Sequence, residues 1–520
     1  MVSTVDFRAR SLAEWVDDVH RRQVSARDLV DGAIANVEAW NGMINAFVAV
    51  DADRAKADAD DIDTRLANGE AVGPLAGMPI GVKDLEDARG FVTTYGSAPH
   101  VRDKPAPRDS VLVARLRAAG CVVIGKTNTP EFGLKPQTDN STFGISRNPW
   151  DLNATPGGSS GGSAAALAAG IVPLATGSDG GGSIRIPSAV CGLSGIKSSL
   201  GRVPSADPRA PSWGALSTKG PMARRIRDVA LALDAVIGPS PRDLRSLPAL
   251  SPGWLAALDA PRPPLRVAWS PTLGYMEVDP EIRGICEVAV KALAGDGVEI
   301  IEVDKVFSTD PRNVIGTFVS SYTRRTIEEY RDTPWWDQLD PLVVLSAEMA
   351  RATIGGLDMV AAEDGCHLLN WELCDVLDRS PVLLCPTTSG ITPPCLMPAR
   401  VDELLALFTA TGLDLAAVDP AVDLVAVLDW LRAREPINMP VGTVGGRPVM
   451  DWTGMTQPFN LTRSPAATVC AGFTQGGLPV GLQIVGRQHA DVEVLETAAV
   501  IEDILAIDRV AGGTTSAQEP

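Results

Sequence analysis

Two glycine-rich stretches set serines where serine chemistry is feasible. The first, Gly157-Gly158-Ser159-Ser160-Gly161-Gly162, is followed after an ordered insert by Gly177-Ser178-Asp179-Gly180-Gly181-Gly182-Ser183. Three glycines directly before a serine leave backbone N–H groups free to converge on a small anion, as an oxyanion hole requires. Gly180, Gly181 and Gly182 are the candidate donors, and Ser183 beside them is placed to attack a carbonyl. Asp179 and Arg185 bracket that serine with opposite charges, suited to bracing the loop. A serine is a weak nucleophile until a base takes its proton. The four histidines, His20, His100, His367 and His489, neighbour neither glycine turn. A Ser-His-Asp triad stays open, because triads assemble in space rather than in sequence.

Two such turns could be flexible linkers, but linkers lack a regular insert. Here Ser163-Ala164-Ala165-Ala166-Leu167-Ala168-Ala169 predicts a helix, Gly170 suits its left-handed end, and Ile171 to Thr176 predicts a buried strand. Upstream, Leu12, Trp15, Val16 and Val19 recur at helical spacing, as do Leu29, Ile34 and Val37, and Asp51 to Leu66 reads as an exposed helix. Pro79 to Asp84 reads as a short strand ending in a charged pair, Val111 to Ala119 as a helix and Cys121 to Ile124 as a strand. Downstream, Leu265 to Trp269, Glu281 to Ala294 and Val298 to Val303 form a β-α-β unit. Val382 to Pro386 and Leu478 to Val485 read as strands and Glu493 to Leu505 as a helix. The alternation implies an α/β layer fold.

One motif misleads. Gly120-Cys121-Val122-Val123-Ile124-Gly125-Lys126-Thr127 fits the spacing of a phosphate-binding loop. A phosphate cradle needs a loop at the middle positions, and Cys-Val-Val-Ile is strand-forming.

The chain has 520 residues and a formal net charge of −18, which argues against nucleic acid or an anionic membrane as partner. No secretory signal or membrane span is visible, so the sequons at Asn140, Asn153 and Asn460 carry no glycosylation reading. The eight cysteines are scattered, mostly among apolar neighbours, which fits buried thiols in a cytoplasmic protein. A small-molecule substrate and a monomer or homodimer are the expectations, with neither metal nor cofactor, because no His/Cys cluster is present.

The run GGSSGGSAAALAAG…GSDGGGSIRIPSAVCGLSGIKSSLGRVP resembles the signature of the amidase signature family, and GPLAGMPIGVKD and GGLPVGLQIVGR extend the likeness over nearly the whole chain. The resemblance implies one large domain over 1–520, with a central mixed β-sheet covered by helices on both faces. Its signature core would span about 75–225; the residues of about 307–455 read as a mainly helical, substrate-covering region, and the polar, Gly/Thr/Ser-rich tail 512–520 reads as disordered. It further implies a Ser-Ser-Lys triad in which Lys83 acts on Ser159, a serine after a cis peptide bond, which relays to the nucleophile Ser183. Ser160 is the neighbour most easily mistaken for the relay. Lys83 must be neutral to accept a proton; burial can lower an amine from about 10.4 toward roughly 7–8. Pro79, Ile80 and Val82 favour this, and Asp84 opposes it unless turned away.

The implied activity is hydrolysis of linear amides through an acyl-enzyme, with hydrophobic or aryl acyl amides preferred and esters or carbamates accessible. Trp335, Trp336 and Met455 are the candidate substrate contacts in the middle region. Two other readings are a glutaminase-type subunit of a tRNA-dependent amidotransferase and an inactive interaction protein on the same fold.

Overall fold

The computed structural model describes residues 5–206, 213, 216–250, 253–403, 424–508 and 510–511. Its backbone is one mixed sheet of eleven strands. In chain order these are β1 Phe47–Val50, β2 Pro79–Lys83, β3 Val122–Thr127, β4 Leu174–Asp179, β5 Ser194–Lys197 and β6 Thr218–Ala223. Then come β7 Arg266–Trp269, β8 Glu299–Glu302, β9 Val382–Pro386, β10 Ala466–Phe473 and β11 Pro479–Gly486. The spatial order is β1-β3-β2-β4-β6-β5-β10-β11-β9-β7-β8. β2 runs parallel to both β3 and β4, while β6 is antiparallel to β4 and to β5.

Side chains alternate across the pleat, and two cores follow from that alternation. Val382 and Leu384 of β9 join one apolar cluster with Ile282, Cys286 and Leu293 of the Pro280–Gly295 helix. Leu383 and Cys385 of the same strand join the other, with Phe318 of the Pro311–Ile327 helix and Leu369 of the Gly356–Leu377 helix. Helices therefore cover both faces, and the chain folds as a single domain.

The β-α-β unit forms as expected, with β8 parallel to β7. The phosphate-loop spacing lies on β3, which is buried throughout. Four strands have no counterpart in the sequence expectations: β1, β5, β6 and β10. Ser-Gly-Ile-Lys and Thr-Lys-Gly-Pro-Met-Ala carry too few β-formers to read as strands; neighbours on both sides make them so. Residues expected to be mainly helical between about 307 and 455 also hold two small antiparallel pairs, Pro398–Ala399 with Ile437–Asn438 and Gly442–Val444 with Arg447–Val449. The tail 512–520 lies outside the described residues. Six of the eight cysteines are buried, whereas Cys374 and Cys470 are half-buried rather than core thiols. Among the described residues no helix is long and apolar enough to cross a membrane.

Candidate active site

Lys83 is the last residue of β2, and every residue of that strand is buried. Gly81 lets β1 and β3 close on it, because a Cβ there would stand 2.7 Å from Thr127 Cγ2. The amine at the strand end meets three hydroxyls. Lys83 Nζ is 2.8 Å from Ser159 Oγ, 2.9 Å from Ser160 Oγ and 3.0 Å from Ser178 Oγ. With no carboxylate in contact to hold a charge, burial favours the free amine and pulls Lys83 from 10.5 down to about 7; Glu86 and then Asp179 push the other way. Asp84, next in sequence, is turned away onto Lys126 Nζ at 3.2 Å.

Ser159 follows a cis peptide bond, Gly158-Ser159. A Cβ on Gly158 would lie 2.7–2.8 Å from the Gln137 backbone, and one on Gly133 would lie 3.2 Å from Ser159 Oγ. Segment 133–137 thus roofs this turn so closely that it tolerates no side chains. Ser160 then caps the Gly161–Ala168 helix, where alanines let the helix settle on the sheet. Ser163 Oγ donates to Thr176 O at 2.8 Å and fixes the helix over β4.

The second turn begins later than its sequence suggests. Gly177, Ser178 and Asp179 are strand residues, paired antiparallel with Gly220, Lys219 and Thr218. Strand geometry thereby carries Ser178 to the lysine. The turn proper is Gly180 to Ser183, leading into the Arg185–Val190 helix. Ser160 N donates to Ser183 O at 3.3 Å, so the two serine turns abut.

Asp179 gathers the second turn around its carboxylate. It accepts from the amides of Gly182 at 2.8 Å and Ile184 at 3.2 Å, and from Arg185 Nε at 2.9 Å and Nη2 at 2.8 Å. Both side chains are fully buried. Burial alone would raise the Asp179 carboxyl; the Arg185 guanidinium and Asn460 amide overcome it and hold the group well below the ordinary carboxylate range. Arg185 spends its remaining donors on Thr456 O at 2.8 Å, Gln483 Oε1 at 2.7 Å and Asn460 Oδ1 at 2.6 Å. All five guanidinium N–H groups are matched, which is what a buried arginine needs.

Gly182 departs from its expected part. Its amide is committed to Asp179 Oδ1, so it is not among the free donors of the loop. Its φ of +129° and a Cβ position 2.2 Å from Thr456 Oγ1 explain the glycine instead. The amides of Gly180, Gly181 and Ser183 have no hydrogen-bond partner among the described residues.

Met455 is wholly buried, in the core cluster with Phe307 and Phe459. Trp335 stands at the surface, 37% exposed. Trp336, Phe132 and Leu134 all pack against the cluster that holds Tyr330, and Phe132 and Leu134 flank in sequence the Gly133 that lies over Ser159. Among the described residues no histidine bonds to Ser159, Ser160 or Ser183; His100 instead contacts Asp103 and Tyr330. Trp213, Ser178, Thr456, Asn460 and Gln483 all shape the site without having been singled out from the sequence. Trp213 lies over Gly180, where a Cβ would be 2.4 Å from its ring.

A buried lysine drawn down to about 7 beside paired serine turns can serve serine hydrolysis without a histidine. A family profile described as Amidase matches residues 28–325 and 425–495. An acylamidase of Rhodococcus erythropolis is 35% identical over 502 residues, covering 95% of each chain. One component of a glutamyl-tRNA(Gln) amidotransferase from Synechococcus sp. WH7803 is 31% identical over 501 residues, covering 95% of this chain and 96% of that one. Among solved structures, a bacterial aryl acylamidase of the amidase signature family superposes with a TM-score of 0.82 at 27% identity, covering 97% of this chain and 99% of that one. A 6-aminohexanoate cyclic dimer hydrolase gives 0.81 at 27% identity, with 98% and 99% covered. The chain belongs to the amidase signature family. It is an amide hydrolase acting on small-molecule amides.

Proposed function

We propose that Ser183 is the nucleophile, Lys83 the base and Ser159 the relay between them. Neutral Lys83 takes the Ser159 hydroxyl proton while Ser159 takes that of Ser183, and Ser183 Oγ adds to the substrate carbonyl. The oxyanion forms against the amides of Gly180, Gly181 and Ser183. The proton returns along the same path to the amide nitrogen, the C–N bond breaks, and ammonia or an amine leaves. Water then attacks the acyl-enzyme with the relay repeated, releasing the carboxylic acid. The observation that carries this reading is Lys83 Nζ at 2.8 Å from Ser159 Oγ in a pocket that disfavours the ammonium. Ser159 suits the relay better than Ser160, whose Oγ is also engaged by the Ser178 backbone, accepting from its N–H at 3.3 Å and donating to its O at 3.4 Å.

The substrate class we propose is hydrophobic or aryl acyl amides, with esters and carbamates open to the same route. Apolar side chains border the turns: Phe132 and Leu134 flank the Ser159 side, and Ile315 Cδ1 lies 3.5 Å from a Cβ position on Gly181. The acylamidase and aryl acylamidase relatives favour the same class. A panel of acyl anilides, primary amides and carbamates tests it with the purified chain. Turnover of anilides is expected, and turnover confined to glutamine in the presence of co-purifying subunits would favour the amidotransferase reading instead. The scattered cysteines, six of eight of them buried, fit a cytoplasmic enzyme, testable by fractionation. Sedimentation decides between monomer and homodimer.

A further inference from the structure

Lys83 touches only hydroxyls, yet three carboxylates stand just outside that pocket. Asp84 follows it in sequence and pairs with Lys126 of β3 at 3.2 Å. Asp179 comes from β4 and pairs with Arg185. Glu86 closes the turn that ends β2, its amide donating to Lys83 O at 2.9 Å. Glu86 Oε1 lies 2.7 Å from Lys219 Nζ, while Oε2 is buried without a hydrogen-bond partner. Asp87, one residue further, is exposed and bound by Thr93 Oγ1 at 2.8 Å. Lys126 Nζ also donates to the Glu86 carbonyl, and the helix of residues 161–168 brings no charge to the site.

Every buried anion around the base thus has its own cation. Glu86 matters most, since it is the charge that acts most strongly on Lys83 and it favours the protonated form. Its cation arrives from a different strand. Lys219 on β6 is directly opposite Ser178 on β4, so both side chains leave the same face of the sheet. Ser178 Oγ in turn is 3.0 Å from Lys83 Nζ. The side chains of Lys126 and Arg185 are fully buried, whereas that of Lys219 is 24% exposed, beside a small cleft with Thr218, Ser205, Asp243 and Arg245.

We propose that Lys219 is a positioning residue for amide hydrolysis: by pairing with Glu86 it cancels the negative charge beside Lys83 and sets the pH above which the enzyme works. The proposal rests on Lys83 being the base. Without Lys219, Glu86 faces Lys83 uncompensated and the ammonium is retained to higher pH. Without the Glu86 charge, the amine is released at lower pH.

The test is the pH dependence of kcat/KM on an acyl anilide, for wild type, Lys219→Met, Lys219→Arg and Glu86→Gln. Lys219→Met is expected to move the acid limb up by about one pH unit, lowering kcat/KM near pH 7 roughly fivefold while leaving the alkaline plateau unchanged. Lys219→Arg restores the wild-type limb, and Glu86→Gln moves it down. Coincident acid limbs overturn the proposal, as does an equal loss at pH 7 and on the plateau, which would mark a purely structural role. Should Glu86→Gln not fold, the two Lys219 variants still decide. An acid limb that persists in Lys83→Ala would instead overturn the base assignment, so the two failures are distinguishable.

Discussion

Two lysines, both buried, end in pockets of opposite character. Lys83 meets three serine hydroxyls, and burial brings it down to about 7. Lys135 lies in the segment that roofs Ser159, with its Nζ 2.8 Å from Asp139 Oδ2 and 2.6 Å from Asp340 Oδ2. Burial works against its ammonium too, but Asp340 and Asp139 outweigh burial and hold it above the usual lysine value. Hydroxyls can bind either form of an amine, whereas carboxylates bind the cation. One lysine is therefore available to take a proton and the other is a fixed charge. The fixed charge ties the roof to Asp340, the N-cap of the Pro341–Thr353 helix, and so joins the catalytic half to the helical cover.

Removing either end of the relay should produce the largest effect. Ser183→Ala and Lys83→Ala are each expected to lower kcat/KM on an acyl anilide by on the order of 10⁴-fold, with Lys83→Ala recovering partly at high pH. In wild type the base must be unprotonated, so kcat/KM rises as pH increases through about 7 and then levels.

Making the first pocket resemble the second comes next. Ser178→Asp places a carboxylate on Lys83, and a fall in kcat/KM at pH 7 of roughly 10²-fold is expected with the fold retained by circular dichroism. The converse is Lys135→Met, which leaves Asp139 and Asp340 uncompensated. It should cost about 3–5 kcal/mol of unfolding free energy by denaturant titration. Because the Lys135 value is raised, its contribution is fully present below the usual lysine value of 10.5 and is lost only as pH rises beyond it. The loss should therefore be the same at pH 6 and pH 9. Trp335→Ala, at the surface, is expected to change kcat/KM on the same anilide by less than about threefold.

The sequence displayed the strands that are continuous apolar runs, such as Pro79–Lys83 and Val382–Pro386, because burial on both faces leaves that trace. It displayed the serine turns because glycine is needed where backbones approach within a side chain's width. It hid Ser178, since Gly-Ser-Asp before three glycines reads as turn until β6 pairs with it. It hid the commitment of the Gly182 amide, which depends on where the Asp179 carboxylate points. Thr456, Asn460 and Gln483 reach Arg185 from far along the chain, and Asn460 carried only an idle sequon. Met455 shows the remaining difficulty, because a methionine lining a pocket and one filling a core have the same local pattern.

The most direct measurement is labelling by a serine-reactive phosphonate, with the modified residue mapped by mass spectrometry across pH. A label on Ser183 is expected, its rate climbing through about pH 7 in wild type and slow, without that rise, in Lys83→Ala. A label on Ser159 or Ser160, or an unchanged rate when Lys83 is removed, would contradict the assignment of Ser183 as nucleophile and Lys83 as base.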